Sequence, residues 1–203
     1  MTSSSRATRP VLPPAQDDTF VPRSRTRRPE TALLGVVVLV PEPWAQLLTE
    51  WRARCGDPQA SVVPPHVTLL PPTEVLATDR AAVGQHLAEV ARTHPPFEMH
   101  LSGTGTFTPI TDVVFVAVAR GIGSCELLAD DVRSGPLERS LNFPYHPHVT
   151  VVHDVPAEMQ ELAYSGLGDL SATFEVDRFT EFELASSGRW TVAAEYRLSG
   201  PPH

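Results

Sequence analysis

Apolar residues fall along the chain in short β-branched runs separated by segments with helical spacing, and the order of these elements repeats. The first run, 35–40, reads Gly-Val-Val-Val-Leu-Val and stops at Pro41, the pattern of a buried strand. A helix over 43–54 follows, with Pro43 in its first turn and Gly56 just past its end. His-Val-Thr-Leu-Leu at 66–70 predicts a second strand, bounded by Pro64-Pro65 and Pro71-Pro72. Asp79 is placed to cap a helix running to Thr93, and 97–107 reads as extended.

The second half takes the same order: a strand over 113–119, a helix over 124–139, a strand over 148–152, a helix over 156–164 and an extended segment over 173–184. The fifth elements even begin alike, with Phe97-Glu98 in one and Phe174-Glu175 in the other. A last strand over 190–198 alternates Trp190, Val192, Tyr196 and Leu198 with Thr191, Glu195 and Arg197, after a turn predicted at Ser186-Ser187-Gly188. The pattern predicts an α+β protein built from a duplicated β-α-β-α-β unit with an added hairpin.

Composition narrows the class. With 203 residues and 41% hydrophobic content there is material for one core, divided at most between two small lobes. The longest apolar run is too short to cross a bilayer, so no membrane partner is expected. Residues 1–30 carry six arginines with Ser, Thr and Pro but little to bury, which predicts a disordered tail ahead of a single bilobal domain over 31–203. That tail lacks the apolar stretch of a secretory signal, so a cytoplasmic monomer with reduced Cys55 and Cys125 is expected.

The formal charge of −8 divides unevenly, +3 over 1–30 and −11 over the rest. An acidic body excludes a protein that grips long duplex nucleic acid through many phosphates. If nucleic acid is the substrate, the expected partner is an RNA terminus or a small nucleotide.

Both His-bearing strands carry Pro-His-Val-Thr, at 65–68 and 147–150. Side chains two apart on a strand share a face, so His66 projects with Thr68 and His148 with Thr150. If the repeats pack about a pseudo-two-fold axis, two imidazoles and two hydroxyls converge across a groove. Imidazole titrates near pH ~6.5, so one ring can serve as base and the other as acid. The threonine hydroxyls would hold the phosphoryl oxygens of a phosphodiester. No metal or nucleotide cofactor is needed for such a reaction.

These features resemble the 2H phosphoesterases, and within them the LigT-like bacterial RNA 2′,3′-cyclic phosphodiesterases, historically called 2′-5′ RNA ligases. The resemblance runs from the opening strand with Pro41-Glu42-Pro43, through His66-Val67-Thr68-Leu69 and Pro96-Phe97-Glu98, to Pro144-Tyr145-His146-Pro147-His148-Val149-Thr150-Val151 and Tyr196-Arg197-Leu198. It implies a bilobal α+β fold, two pseudo-two-fold related lobes with antiparallel sheets around a central groove. It also implies hydrolysis of a 2′,3′-cyclic phosphate to a 2′-phosphomonoester, with 2′-5′ ligation as the reverse reaction. By the same resemblance His66 is the proton donor and His148 the acceptor that activates water. Family members often follow the first motif with an aromatic residue and the second with a basic one, whereas this chain has Pro71-Pro72 and Val152-His153-Asp154.

Other readings of the same residues stay open at this point. The protein could bind nucleotides or RNA ends without turning them over. His146, His148 and His153 could ligate a metal. Phe143 and Tyr145 could stack on a base or pack in the core, and Trp44, Trp51 and Trp190 read as core.

Overall fold

A computed structural model describes residues 30–141, 143–185 and 189–202. The arginine-rich tail (1–29) and the turn expected at Ser186-Ser187-Gly188 lie outside the described residues. Among the described residues, eight strands and four α-helices follow in chain order: β1 Thr31–Leu39, α1 Trp44–Arg54, β2 His66–Leu76, α2 Arg80–Thr93, β3 Phe97–Thr106, β4 Val113–Arg120, α3 Ile122–Val132, β5 His148–His153, α4 Ala157–Gly166, β6 Ser171–Val176, β7 Arg178–Leu184 and β8 Trp190–Arg197. Among the described residues, no helix is long and apolar enough to cross a membrane.

The strands hydrogen-bond antiparallel in the order β6-β3-β4-β5-β2-β1-β7-β8. That order is symmetric about the β5-β2 junction: β2 corresponds to β5, β1 to β4, β7 to β3 and β8 to β6. The two lobes are therefore not the two halves of the chain. The first half hands β3 to the lobe of β4 and β5, and the second half hands β7 to the lobe of β1 and β2. The helices cross as well, since α1 packs on β5 and α3 on β2.

This exchange corrects several expectations. The extended segment over 173–184 breaks at Asp177 into two strands that sit near opposite ends of the sheet, β6 beside β3 and β7 between β1 and β8. The matching Phe-Glu pairs are not symmetry mates; they lie on neighbouring strands, with Glu98 directly opposite Glu175. Arg120 relieves that like-charge contact by an ion pair to Glu98 at 2.5 Å. The helix expected to reach residue 139 stops at Val132, because Gly135 adopts a left-handed φ of 56° and Pro136 cannot continue the ladder. β2 runs on through Pro71-Pro72 to Leu76, because its register against β1 shifts there and prolines are accommodated at bulges. Asp79 precedes α2 without capping it; its carboxylate accepts from the Thr78 hydroxyl.

The core lies between the helices and one face of the sheet. Leu34, Val36, Leu48, Val67, Leu69, Leu87, Leu128, Val149 and Val151 are fully buried within it, each contributing about 1.5–3 kcal/mol. Among the described residues the buried charged residues are Arg52, Arg133 and Glu181. Glu181, on the exchanged strand β7, is 2% exposed and accepts from the Arg80 guanidinium of α2 and from the Tyr196 hydroxyl of β8. Removing its cation would leave a desolvated carboxylate with one neutral donor. Arg80→Met is therefore expected to cost roughly 2–4 kcal/mol in chemical denaturation, more than the ~1 kcal/mol of an ordinary surface ion pair.

Candidate active site

β2 and β5 meet through one backbone pair, Val67 opposite Val149. On each strand the alternation is the one expected: Val67 and Leu69, like Val149 and Val151, are buried in the core, while His66, Thr68, His148 and Thr150 are half-buried on the other side. Thr68 stands opposite Val37 on β1, and Thr150 opposite Phe115 on β4. The pseudo-symmetry thus brings the two His-Thr pairs to equivalent positions beside the junction.

Both imidazoles are held in the same way. Nδ1 of His66 lies 2.7 Å from the Pro64 carbonyl oxygen, and Nδ1 of His148 lies 2.7 Å from the His146 carbonyl oxygen. A carbonyl only accepts, so Nδ1 carries a proton in each ring and Nε2 is the nitrogen left for chemistry. Burial is the main cause that pulls both rings below their ordinary pKa. The carbonyl bonds partly oppose this, while the Arg52 and His148 charges depress His66 further and the His146 charge depresses His148. Each histidine is one residue removed from the Val67–Val149 pair on its own strand.

The two rings have different surroundings. His66 and Thr68 line an apolar pocket of about 200 Å³ with Val37, Leu70, Phe182 and Trp190. His148 lies 4.9 Å from the ring of Phe107 and 5.2 Å from that of Phe115, with His146 stacked at 6.2 Å. It opens onto a larger groove of about 500 Å³ that also reaches Thr68. Phe182 and Phe107 are symmetry mates, each two residues past the position opposite Val37 or Phe115 on its exchanged strand. A Cβ on Gly105 would come within 2.5 Å of the Phe115 ring, so the glycine makes room for the aromatic wall behind His148.

The junction is braced from the second half of the chain. The Tyr145 hydroxyl donates to the Thr68 carbonyl at 2.9 Å, and Arg133 donates to the Leu69 carbonyl at 3.0 Å while its guanidinium lies over the Tyr145 ring. Tyr145 thus braces the strand that carries Thr68, and Phe143, 62% exposed, lines the larger groove. Trp190 lines the His66 pocket and is not a core residue, because β8 is an edge strand beside β7. Trp44 and Trp51 pack partly buried against the core.

The three histidines weighed as metal ligands do not converge. His153 pairs with Val113 and His148 with Ala117, four residues apart on β4 and so roughly 13 Å along the strand. His153 lies 3.4 Å from the Asp154 carboxylate instead. Among the described residues no cluster of three His, Cys, Asp or Glu side chains could hold an ion. Cys55 and Cys125 are buried and unpaired, and burial pushes the Cys125 thiol up to about 12.

The family model described as the 2′-5′ RNA ligase superfamily matches residues 39–185, the span that contains both His-Thr strands. The chain belongs to this superfamily. Its fold is that of E. coli LigT, whose crystal structure in apo form aligns with a TM-score of 0.62 at 21% identity, covering 84% of this chain and 99% of LigT. LigT complexed with 3′-AMP aligns equally well, with a TM-score of 0.62 at 21% identity and the same coverage. By sequence, the chain is 26% identical over 173 residues to "Putative phosphoesterase BH1439" of Halalkalibacterium halodurans, covering 81% of this chain and 96% of that one. Membership makes this a LigT-like 2H phosphoesterase. Phe107, Phe115 and Phe182 at the site were not expected from the sequence; for Phe107 and Phe182 the available signal was a matched aromatic near the end of each exchanged strand.

Depressed histidine pKa values also affect stability. An unfolded imidazole binds its proton at a pH where the folded ring is still neutral, so stability falls as pH drops through about 6.5 and lower. The melting temperature of the 2H phosphoesterase should therefore fall between pH 7.5 and 5. A His66→Asn/His148→Asn variant should lose a measurable part of that slope.

Proposed function

We propose that this 2H phosphoesterase hydrolyses a 2′,3′-cyclic phosphate, on an RNA end or a nucleotide, to a 2′-phosphomonoester by two-histidine acid-base catalysis without metal or nucleotide cofactor. The observation that carries the reading is the paired tautomer: two desolvated rings, each with Nδ1 engaged by a carbonyl and Nε2 free, at equivalent positions of a doubled scaffold. His148 Nε2 takes a proton from water as its oxygen attacks phosphorus. The bond from phosphorus to the 3′-oxygen breaks, and His66 Nε2 gives its proton to that oxygen. The 2′-oxygen keeps the phosphate, and the two rings exchange protonation states through solvent before the next turnover. The hydroxyls of Thr68 and Thr150 donate to the non-bridging oxygens as charge develops on them. With a 5′-hydroxyl in place of water, the same steps leave a 2′-5′ linkage, and in water hydrolysis dominates. E. coli LigT has been crystallised with 3′-AMP, with ATP and with phosphate, ligands of the class this reading requires.

Incubation with 2′,3′-cyclic nucleotides should release 2′-phosphates, and His66→Ala and His148→Ala should each lower turnover by about 10²-fold or more. Thr68→Val should lower kcat by roughly tenfold. Binding of these ligands without turnover by the unaltered protein would identify a nucleotide-binding protein instead. Loss of activity in EDTA with recovery on adding zinc would overturn the metal-free mechanism. Because both rings sit below the ordinary imidazole pKa, kcat/KM should be bell-shaped with its maximum on the acid side of neutrality. A flat profile from pH 5 to 8 would exclude the two histidines as acid and base.

A further inference from the structure

The larger groove beside His148 is lined by two guanidinium groups, and they are not equivalent. Arg133 is 7% exposed, and its donors are occupied by the Leu69 carbonyl and the Asp130 carboxylate. Its charge is neutralised within the fold. Arg139 is exposed, with its guanidinium bonded at 2.6 Å to the Thr73 hydroxyl, and among the described residues no carboxylate lies within ion-pair distance of it. A hydroxyl fixes the position of a guanidinium without cancelling its charge. Arg139 is therefore the lining cation with capacity left for an anion, in a chain whose body is otherwise acidic.

Its position determines which anion. Thr68 stands opposite Val37, and Thr73 opposite Leu34, three residues further along β1. Arg139 is thus anchored roughly 10 Å along the sheet from Thr68. A phosphate held between the histidines and Thr68 is out of its hydrogen-bonding reach, but the next phosphate of a polynucleotide chain is not. Leu69, Pro71, Phe143, Tyr145 and His146 line the same groove of about 500 Å³, room that a nucleoside can occupy.

We infer that Arg139, anchored by Thr73, binds the first internucleotide phosphate upstream of the reacting phosphate, so that the site favours an oligonucleotide end over a cyclic mononucleotide. The inference rests on the proposed phosphodiesterase reading and adds a specificity-determining residue to it.

The test compares kcat/KM for a 2′,3′-cyclic mononucleotide with that for a dinucleotide ending in a 2′,3′-cyclic phosphate. Calorimetry on a nucleoside 2′-phosphate and on a dinucleotide ending in a 2′-phosphate runs in parallel. The unaltered protein should prefer the dinucleotide in both measurements, and its preference should shrink as salt rises. Arg139→Ala should reduce the dinucleotide-to-mononucleotide ratio about tenfold, the loss of one charge-assisted contact near the surface. Arg139→Lys should retain part of the preference, and Arg120→Ala, on the far lobe, should leave the ratio unchanged. A ratio that Arg139→Ala does not alter, in turnover and in binding alike, would overturn the inference. Absence of any turnover with the binding preference intact would sink the enzymatic reading and leave the Arg139 subsite standing.

Discussion

One backbone pair holds the two lobes in register. A ladder continued along β2 and β5 would close the sheet; with Val67 and Val149 as its one pair, the strands diverge and a groove opens between them. Divergence leaves backbone acceptors on β2 without strand partners, and an unmet buried carbonyl costs as much as a lost hydrogen bond. Tyr145 and Arg133 meet that cost at Thr68 and Leu69, so the groove is kept open by side chains from the half of the chain that carries the other histidine. Each His-Thr pair lies next to this junction, and its geometry depends on the junction.

Strand exchange makes the two halves mutually dependent. β3 completes the lobe that holds β4 and β5, and β7 completes the lobe that holds β1 and β2. Neither half can bury its own strands alone, so the wall behind each histidine includes an aromatic from the other half, Phe107 for His148 and Phe182 for His66. The buried Glu181 and its partners Arg80 and Tyr196 fix β7 in the lobe it joins. The site is consequently a product of long-range pairing, formed only once both halves have folded together.

Charge is handled differently inside and outside the groove. The guanidiniums of Arg52 and Arg133 are buried and committed to backbone carbonyls and to Asp57 and Asp130; Arg52 braces the segment just before His66, and Arg133 braces strand β2. The imidazoles lose solvation, which lowers their affinity for a proton, but each keeps a carbonyl partner that fixes its tautomer and orientation and partly offsets that loss.

What the sequence determined by itself was the local pattern. The β-branched runs, the helical spacings and the repeated Pro-His-Val-Thr specified strand and helix identity and the shared face of His66 with Thr68 and of His148 with Thr150, because side-chain alternation is a property of a single strand. The helix ended by Gly135-Pro136 and the strand continued through Pro71-Pro72 were misjudged from local signals, since a bulge and a helix stop each depend on what lies alongside. Only the tertiary structure decided that 173–184 divides between opposite ends of the sheet, that Phe-Glu repeats are neighbours and not symmetry mates, that Trp190 and Phe182 reach the His66 pocket, and that Phe107 and Arg139 reach the larger groove. Those outcomes are set by which strand pairs with which. Pairing between distant segments leaves no local periodicity to read, so it emerges only when the chain closes on itself.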